Sequence, residues 1–382
     1  MLELDIKTKL IPPDHRVFVL HPGEKKRFYG SFADQSVVFL DLPGADLPLD
    51  PDPNRPEVRA EIYKSRAIAN WHRTGADKAK KPDRNVGSYI ARAAAKNNSR
   101  YMTEIETLYK EAKPGDLVIS PGPGYSSPVY IGELVGSYKP GVVGHAARMY
   151  GNEPIPARRV KWLPPQQIKR QFSERLIKLM QNRQALIEVK ILIEREEIYD
   201  LVYKDYAWGT AAVGRTLVKD QAFDLRNVGT GTKIIYYIAA MYLAEDAGAL
   251  NAFALLDIDA AIQTFYVEDT FTDTAIEIHS PGTIWLHTKK LTLPAFLSAM
   301  LALSAPGTTA SAAAAAHITN SLATPGAPDP CVIDVENRVR NASNAQGRKL
   351  WEKLCHERAA ELARLQLEST IALKQAPNRK KK

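Results

Sequence analysis

The stretch from Lys113 to Tyr138, KPGDLVISPGPGYSSPVYIGELVGSY, constrains the fold more than any other. Two short apolar runs, Leu117-Val-Ile119 and Val129 to Val135, are bracketed by Gly- and Pro-containing turns. Apolar, partly β-branched runs between such breakers read as strands, and their close spacing predicts a hairpin with residues 121–127 at its tip. An isolated hairpin is at best marginally stable in water, so further strands must pack beside it. The flanking sequence offers them in Arg16 to Leu20, in Val37 to Leu40, and in Arg159 to Leu163, which Pro164-Pro165 closes. Val58 to Trp71 predicts a helix, with Val58, Ile62, Ile68 and Ala69 on one face. Residues 89–109 predict a helix in two pieces, and the polar stretches 46–56 and 72–85 read as loops.

This order of elements resembles the N-terminal module of Mrr-type restriction endonucleases and related phage-defence proteins, a small PUA/EVE-like β-barrel. Gly115, Asp116, Val118 and Pro121 match its first strand motif, and Ile131, Gly132, Val135, Gly136 and Tyr138 match the second. Arg158 or Arg159, with Val160, Trp162 and Leu163, matches the third, and Gln171-Phe172 and Asn182 are similar to the segment that follows. The resemblance covers roughly residues 14–190, about half the chain. Its motifs are turn glycines and core strands, which specify fold rather than ligand. It implies a reader of foreign or modified nucleic acid over residues 1–165, within a restriction-like antiviral defence protein.

At 382 residues the chain has room for two or three domains, and with 45% hydrophobic and 25% charged residues it lies in the ordinary globular range. Residues 166–206 read as a charged helical connector. Within it Glu188-Val-Lys190 imitates the Glu-x-Lys pair of the restriction nucleases, but no Asp-bearing hairpin precedes it. Residues 207–303 read as an α+β domain. A helix is expected over 234–247, an antiparallel meander over 263–267, 274–278 and 283–287, and a helix over 293–303. An Ala/Pro-rich linker spans 304–330, with an Ala-rich helix fitting 310–320. Basic C-terminal helices follow over 331–382, the last running to about residue 373 with Leu350, Leu354, Leu362 and Leu365 on one stripe. The fold class expected for the whole is α+β.

The formal net charge of +8 points toward nucleic acid, but its location qualifies this. Residues 337–382 hold 12 Lys/Arg and 4 Asp/Glu, while the remaining chain balances 39 against 39. The excess belongs to a tail, which attracts phosphates without sequence preference. Cys331 and Cys355 lie apart with no CxxC partner and read as buried thiols. No run approaches the ~18 apolar residues of a membrane span. The N-terminus lacks a secretory apolar core, so a cytoplasmic protein without membrane contact is expected.

Two groups of residues bear on chemistry. Asp257, Asp259, Asp269, Asp273 and Glu277, with His279, are an acidic set that could converge on Mg²⁺, but EDTFTD has the composition of an exposed turn, and the set reads as a turn and a helix end. No metal site is assigned to them. In the first module the nucleic-acid-binding residues expected are Tyr125 and Tyr138, for stacking in polar loops, with Arg148, Arg158 and Lys161 as cations. Trp162 reads as core, and Trp71 lies off the apolar face of its helix. Gly229-Thr-Gly-Thr-Lys233 reads as the start of a helix, lacking P-loop spacing. Catalytic residues and cofactors are not legible.

The leading reading is a defence protein whose first module senses DNA, modified bases included, with residues 207–303 as effector or as platform for a partner defence protein. The rival is a scaffold that assembles, as a homo-oligomer for example, through its C-terminal helix. A divergent metal-dependent nuclease using Asp257, Asp259 and Glu277 is the third.

Overall fold

The computed structural model describes residues 2–75, 81–95, 99–164, 167–218, 225–277, 282–304, 308–323, 329–344, 354–355 and 367–375. Helices and strands are mixed throughout. The chain divides into two compact units, one of Asp14–Val202 and one of Met1–Pro13 with Tyr203–Lys382.

The first unit is built on a curled half-barrel sheet. Its strands run in the order Leu186–Glu188, Val17–Leu20, Leu117–Pro121, Pro128–Leu134, Arg158–Trp162 and Val37–Val38, and Gln167–Ile168 pairs with the start of Pro128–Leu134. Val17–Leu20 and Leu117–Pro121 are buried at every position, in keeping with the apolar runs Val17–Leu20 and Leu117–Ile119, and Ser120 is buried with them. They pair in parallel, while the hairpin of Leu117–Pro121 with Pro128–Leu134 is antiparallel. The helix Pro56–Thr74 begins on Pro56 and buries Val58, Ile62, Ile68 and Ala69 as the spacing predicts. The second helical piece widens into a π-turn over Thr107–Glu111.

The shared motif residues are fold-makers. Gly115 adopts φ 90°, and the buried Asp116 carboxylate accepts from the backbone N–H of Lys113 (2.7 Å) and Arg16 (2.9 Å). The Asp116 side chain thus closes one turn and ties it to the neighbouring strand. Arg158, 1% exposed, donates to the carbonyls of Leu108, Ala112 and Gly136, satisfying the end of the π-turn and the loop after the hairpin.

The helical connector expected over 166–206 is corrected. Glu174–Gln181 and Leu192–Val202 are helices, but Leu186–Glu188 is an edge strand antiparallel to Val17–Leu20. Glu188 accepts two hydrogen bonds from Arg16, at 3.0 and 2.8 Å, which accounts for the Glu-x-Lys triplet without chemistry. The boundary drawn at 165 therefore falls inside the first unit, which continues to Val202.

The second unit holds a six-stranded sheet, ordered Asp273–Glu277, Gly282–Thr288, Ala211–Val218, Asp205–Trp208 and Thr8–Ile11, with Leu367–Ser369 also on Ala211–Val218. Two of the three strands of the expected meander are present. Residues 263–265 instead end the helix Ile258–Phe265, and the third neighbour is Ala211–Val218. The helix Leu293–Leu303 is buried at every residue, in keeping with its nearly all-apolar sequence. The linker expected over 304–330 carries a strand, His317–Thr319, which pairs with Leu2–Asp5. Leu2–Asp5 lies between it and Ala372–Gln375. The last helix was expected to run to about residue 373, but 367–369 and 372–375 are strands. Leu354 is buried, whereas Leu350, Leu362, Leu365 and the basic end lie outside the described residues. Cys331 is a buried free thiol, and Cys355 is half-buried. Among the described residues no helix is long and apolar enough to cross a membrane.

Candidate nucleic-acid interface

The hairpin tip presents Tyr125, 57% exposed, at the position expected of it. Arg148 on the short helix Ala147–Tyr150 and Lys161 on Arg158–Trp162 are also exposed. Tyr138 and Arg158, expected at the interface, are buried instead. Tyr138 donates to the Leu47 carbonyl (3.2 Å) and packs edge-on against Tyr109, while Arg158 is enclosed by the three carbonyls described above. On Arg158–Trp162 the side chains alternate, with Arg158 and Val160 inward and Arg159 and Lys161 outward, so of the two cations expected from this strand only Lys161 is exposed.

The structure assembles a row of rings that the sequence did not assign to the interface, and Trp162, expected in the core, is half-buried in it. Tyr29, Tyr130 and Trp162 are each half-buried, with Tyr29 and Tyr130 5.0 Å apart and Tyr130 and Trp162 5.5 Å apart between ring centres. Gly132 makes room for Trp162: a Cβ there would stand 2.7 Å from the indole Cε3 and 2.9 Å from the Lys161 carbonyl oxygen. Gly122 does the same for the hairpin, since its Cβ would meet the Pro128 carbonyl oxygen at 2.6 Å and the Tyr29 ring at 3.3 Å. Tyr29 and Trp162 are pinned at their polar ends, to the Pro128 carbonyl (2.7 Å) and the Phe32 carbonyl (3.2 Å). The rings are therefore held in place with part of their surface open, as a stacking platform requires.

Cations flank the row. Lys169, 6% exposed, follows the strand Gln167–Ile168 and donates to the Gly122 carbonyl at 2.7 Å. Lys26, on the turn before Tyr29, hydrogen-bonds the buried His21 Nδ1. Among the described residues neither lysine is ion-paired with a carboxylate. Burial and the Lys169 charge push the Lys26 pKa down to about 8, and burial lowers that of Lys169. Burial, with the Lys26 and Lys169 charges, pushes His21 down to about 4, so the imidazole is neutral at pH 7 and its Nδ1 accepts from Lys26.

The acidic set of the second unit does not come together. Asp257 caps the helix Ile258–Phe265 by accepting from the Ala260 N–H (2.8 Å), and Asp259 pairs with Lys233 at 2.9 Å. Asp269 sits in a 3-10 turn, and Asp273 and Glu277 bound a strand. His279 lies outside the described residues. Among the described residues no three His, Cys, Asp or Glu side chains are grouped to hold a metal ion. Gly229 and Gly231 lie inside the helix Leu225–Asp246 rather than ahead of it, so the free N–H groups of a phosphate-cradling helix start are not at that motif. No protein-family model, no curated protein and no solved structure matches this chain.

Proposed function

We propose that this is a nucleic-acid-sensing protein of the restriction and phage-defence type, whose first unit is a PUA/EVE-like reader. The observation that carries the proposal is the half-open row Tyr29, Tyr130 and Trp162 beside two lysines with no carboxylate partner among the described residues. Bases of any sequence stack on fixed aromatic faces, and the adjacent cations attract the phosphates. Exposed Tyr125, Lys161 and Arg148 extend the surface. The defence role rests on the resemblance of residues 14–190 to the restriction-enzyme module. The second unit is the effector or partner-binding part of this reading.

The test is fluorescence anisotropy of the full chain with labelled single- and double-stranded DNA oligonucleotides. These would be unmodified or carry modified cytosine or adenine, and be measured at two salt concentrations. The expected result is binding that weakens with salt, differs between modified and unmodified DNA, and falls about 5- to 100-fold in Tyr125→Ala and Tyr130→Ala, the usual range for one stacked base. Absence of binding to every oligonucleotide, or binding indifferent to both substitutions, would overturn the reader.

A scaffold reading has one observation in its favour. Ile191, Leu192 and Ile193 are consecutive exposed aliphatics at the start of the helix Leu192–Val202. Association through them would persist in high salt, unlike binding to phosphates.

A further inference from the structure

Val17–Leu20 and Leu117–Pro121 are parallel neighbours in register, Val19 opposite Ile119, so the residues that leave them emerge side by side. Those residues are His21 and Gly122. Beyond His21 the backbone turns through Gly23 (φ 71°), Lys25 (φ 53°) and Lys26 (φ 59°). Two consecutive lysines in the left-handed region are unfavourable, at about 1 kcal/mol each or more. The turn persists because Phe28 fills the space a Cβ on Gly23 would need, 2.5 Å away, and the Phe28 N–H bonds the Pro22 carbonyl (2.9 Å). The outcome is an ammonium delivered onto His21. From the other side, Gln167–Ile168 pairs with Val129 and Pro128 and so brings Lys169 to the Gly122 carbonyl.

Two ammonium groups thus stand at the carboxyl ends of two buried neighbouring strands, near enough for the Lys169 charge to act on Lys26 and for both to act on the neutral His21 imidazole. Close like charges removed from water repel each other and lose hydration. Each ammonium carries three donors, of which Lys169 gives one to the Gly122 carbonyl and Lys26 one to His21 Nδ1. Such an arrangement is stabilised by an anion. Two charges are matched by a dianion, and a terminal phosphate monoester carries about −1.5 to −2 at pH 7, whereas an internal phosphodiester carries one charge. The Tyr29 ring packs within reach of Gly122 and begins the aromatic row, so a base attached to that phosphate would have a face to stack on.

We infer that the Lys26–Lys169 pair receives the phosphate monoester at the end of a nucleic-acid strand, so that the reader recognises a phosphorylated terminus. This deepens the reader proposal and rests on it.

The experiment uses the full chain and one labelled single-stranded DNA sequence in three forms: 5′-phosphorylated, 3′-phosphorylated and unphosphorylated at both ends. Anisotropy is expected to show one phosphorylated form bound about tenfold more tightly than the unphosphorylated form, and the difference between the two ends gives the polarity. Lys26→Met should abolish that preference and Lys26→Arg should keep it, because charge rather than lysine geometry sets it. Equal binding of all three forms by the unmodified protein overturns the inference while leaving the reader standing. Failure of all three to bind overturns both.

Discussion

His21 and Asp205 are buried groups whose ordinary charge the fold opposes, and each leaves a signature in the pH dependence of stability. His21 is held near 4 in the folded chain against about 6.5 unfolded. The unfolded state therefore binds the extra proton first, and stability is lost as pH falls from about 6.5 toward 4. NMR titration of the full chain should show one imidazole titrating near 4. Lys26→Met should raise that value, because a neighbouring positive charge has gone. Unchanged titration would separate Lys26 from His21. Asp205 behaves in the opposite sense. Burial pushes its carboxyl up to about 6, although the Arg215 N–H (2.9 Å) and the Thr370 hydroxyl (3.1 Å) both donate to it. Its folded pKa lies above the unfolded value, so its charged form destabilises the fold, fully above about pH 6 and not at all below about pH 4. Asp205→Asn keeps the bond from the Arg215 N–H on its oxygen and turns the other round, its amide donating to the Thr370 hydroxyl, and should raise stability at pH 7.5 by at most about 3 kcal/mol. Urea unfolding at pH 7.5 and pH 4 checks this, the gain vanishing at the lower pH.

At the scale of the element, the hairpin and its neighbours depend on glycines for clearance more than for flexibility. Gly132 faces Val160, Trp162 and the Lys161 backbone at 2.6 to 2.9 Å, and a backbone carbonyl cannot move aside without breaking the ladder. Gly132→Ala should destabilise the first unit by about 1–3 kcal/mol and displace Trp162, read as a shift in tryptophan fluorescence and an earlier thermal transition. Gly124→Ala in the same hairpin meets only the Ser127 hydroxyl at 3.1 Å, a movable group, and should be nearly neutral. These glycines were legible as turn signals at Gly115, Gly122 and Gly136. The demand at Gly132 was not, because it comes from a tryptophan 30 residues away that pairs directly opposite. The expectation for Tyr138 and Arg158 failed for a related reason. A tyrosine in a glycine-rich loop and one of two adjacent arginines look exposed in sequence, while here each supplies hydrogen bonds to backbone carbonyls.

For the whole molecule, the chain's first residues belong with its last. Leu2–Asp5 is the middle strand between His317–Thr319 and Ala372–Gln375, and Thr8–Ile11 pairs in parallel with Asp205–Trp208. Removal of residues 1–13 should therefore unfold or strongly destabilise the second unit while Asp14–Val202 remains folded. Limited proteolysis of the truncated chain is expected to leave a protected fragment close to residues 14–202; protection of both units would contradict the strand pairings. Such pairings over about 200 to 370 residues are typical of what a sequence read locally cannot supply.

The sequence by itself determined five strands of the first unit (Val17–Leu20, Val37–Val38, Leu117–Pro121, Pro128–Leu134 and Arg158–Trp162), its principal helix, the buried helix Leu293–Leu303 and the hairpin Asp273–Glu277 with Gly282–Thr288. These segments carry a periodicity or a turn that acts over a few residues, and local sterics suffice to specify it. Tertiary structure decided the rest. It made strands of Leu186–Glu188 and Leu367–Ser369, whose charged or leucine-striped sequences read as helix, because a neighbouring strand edge offered hydrogen bonds that no local pattern records. It also gathered Lys26, Lys169, Tyr29, Tyr130 and Trp162 from four separate stretches of chain. None carries a binding signal alone, and the chemistry they offer arises only from the register of the strands that carry them to one place.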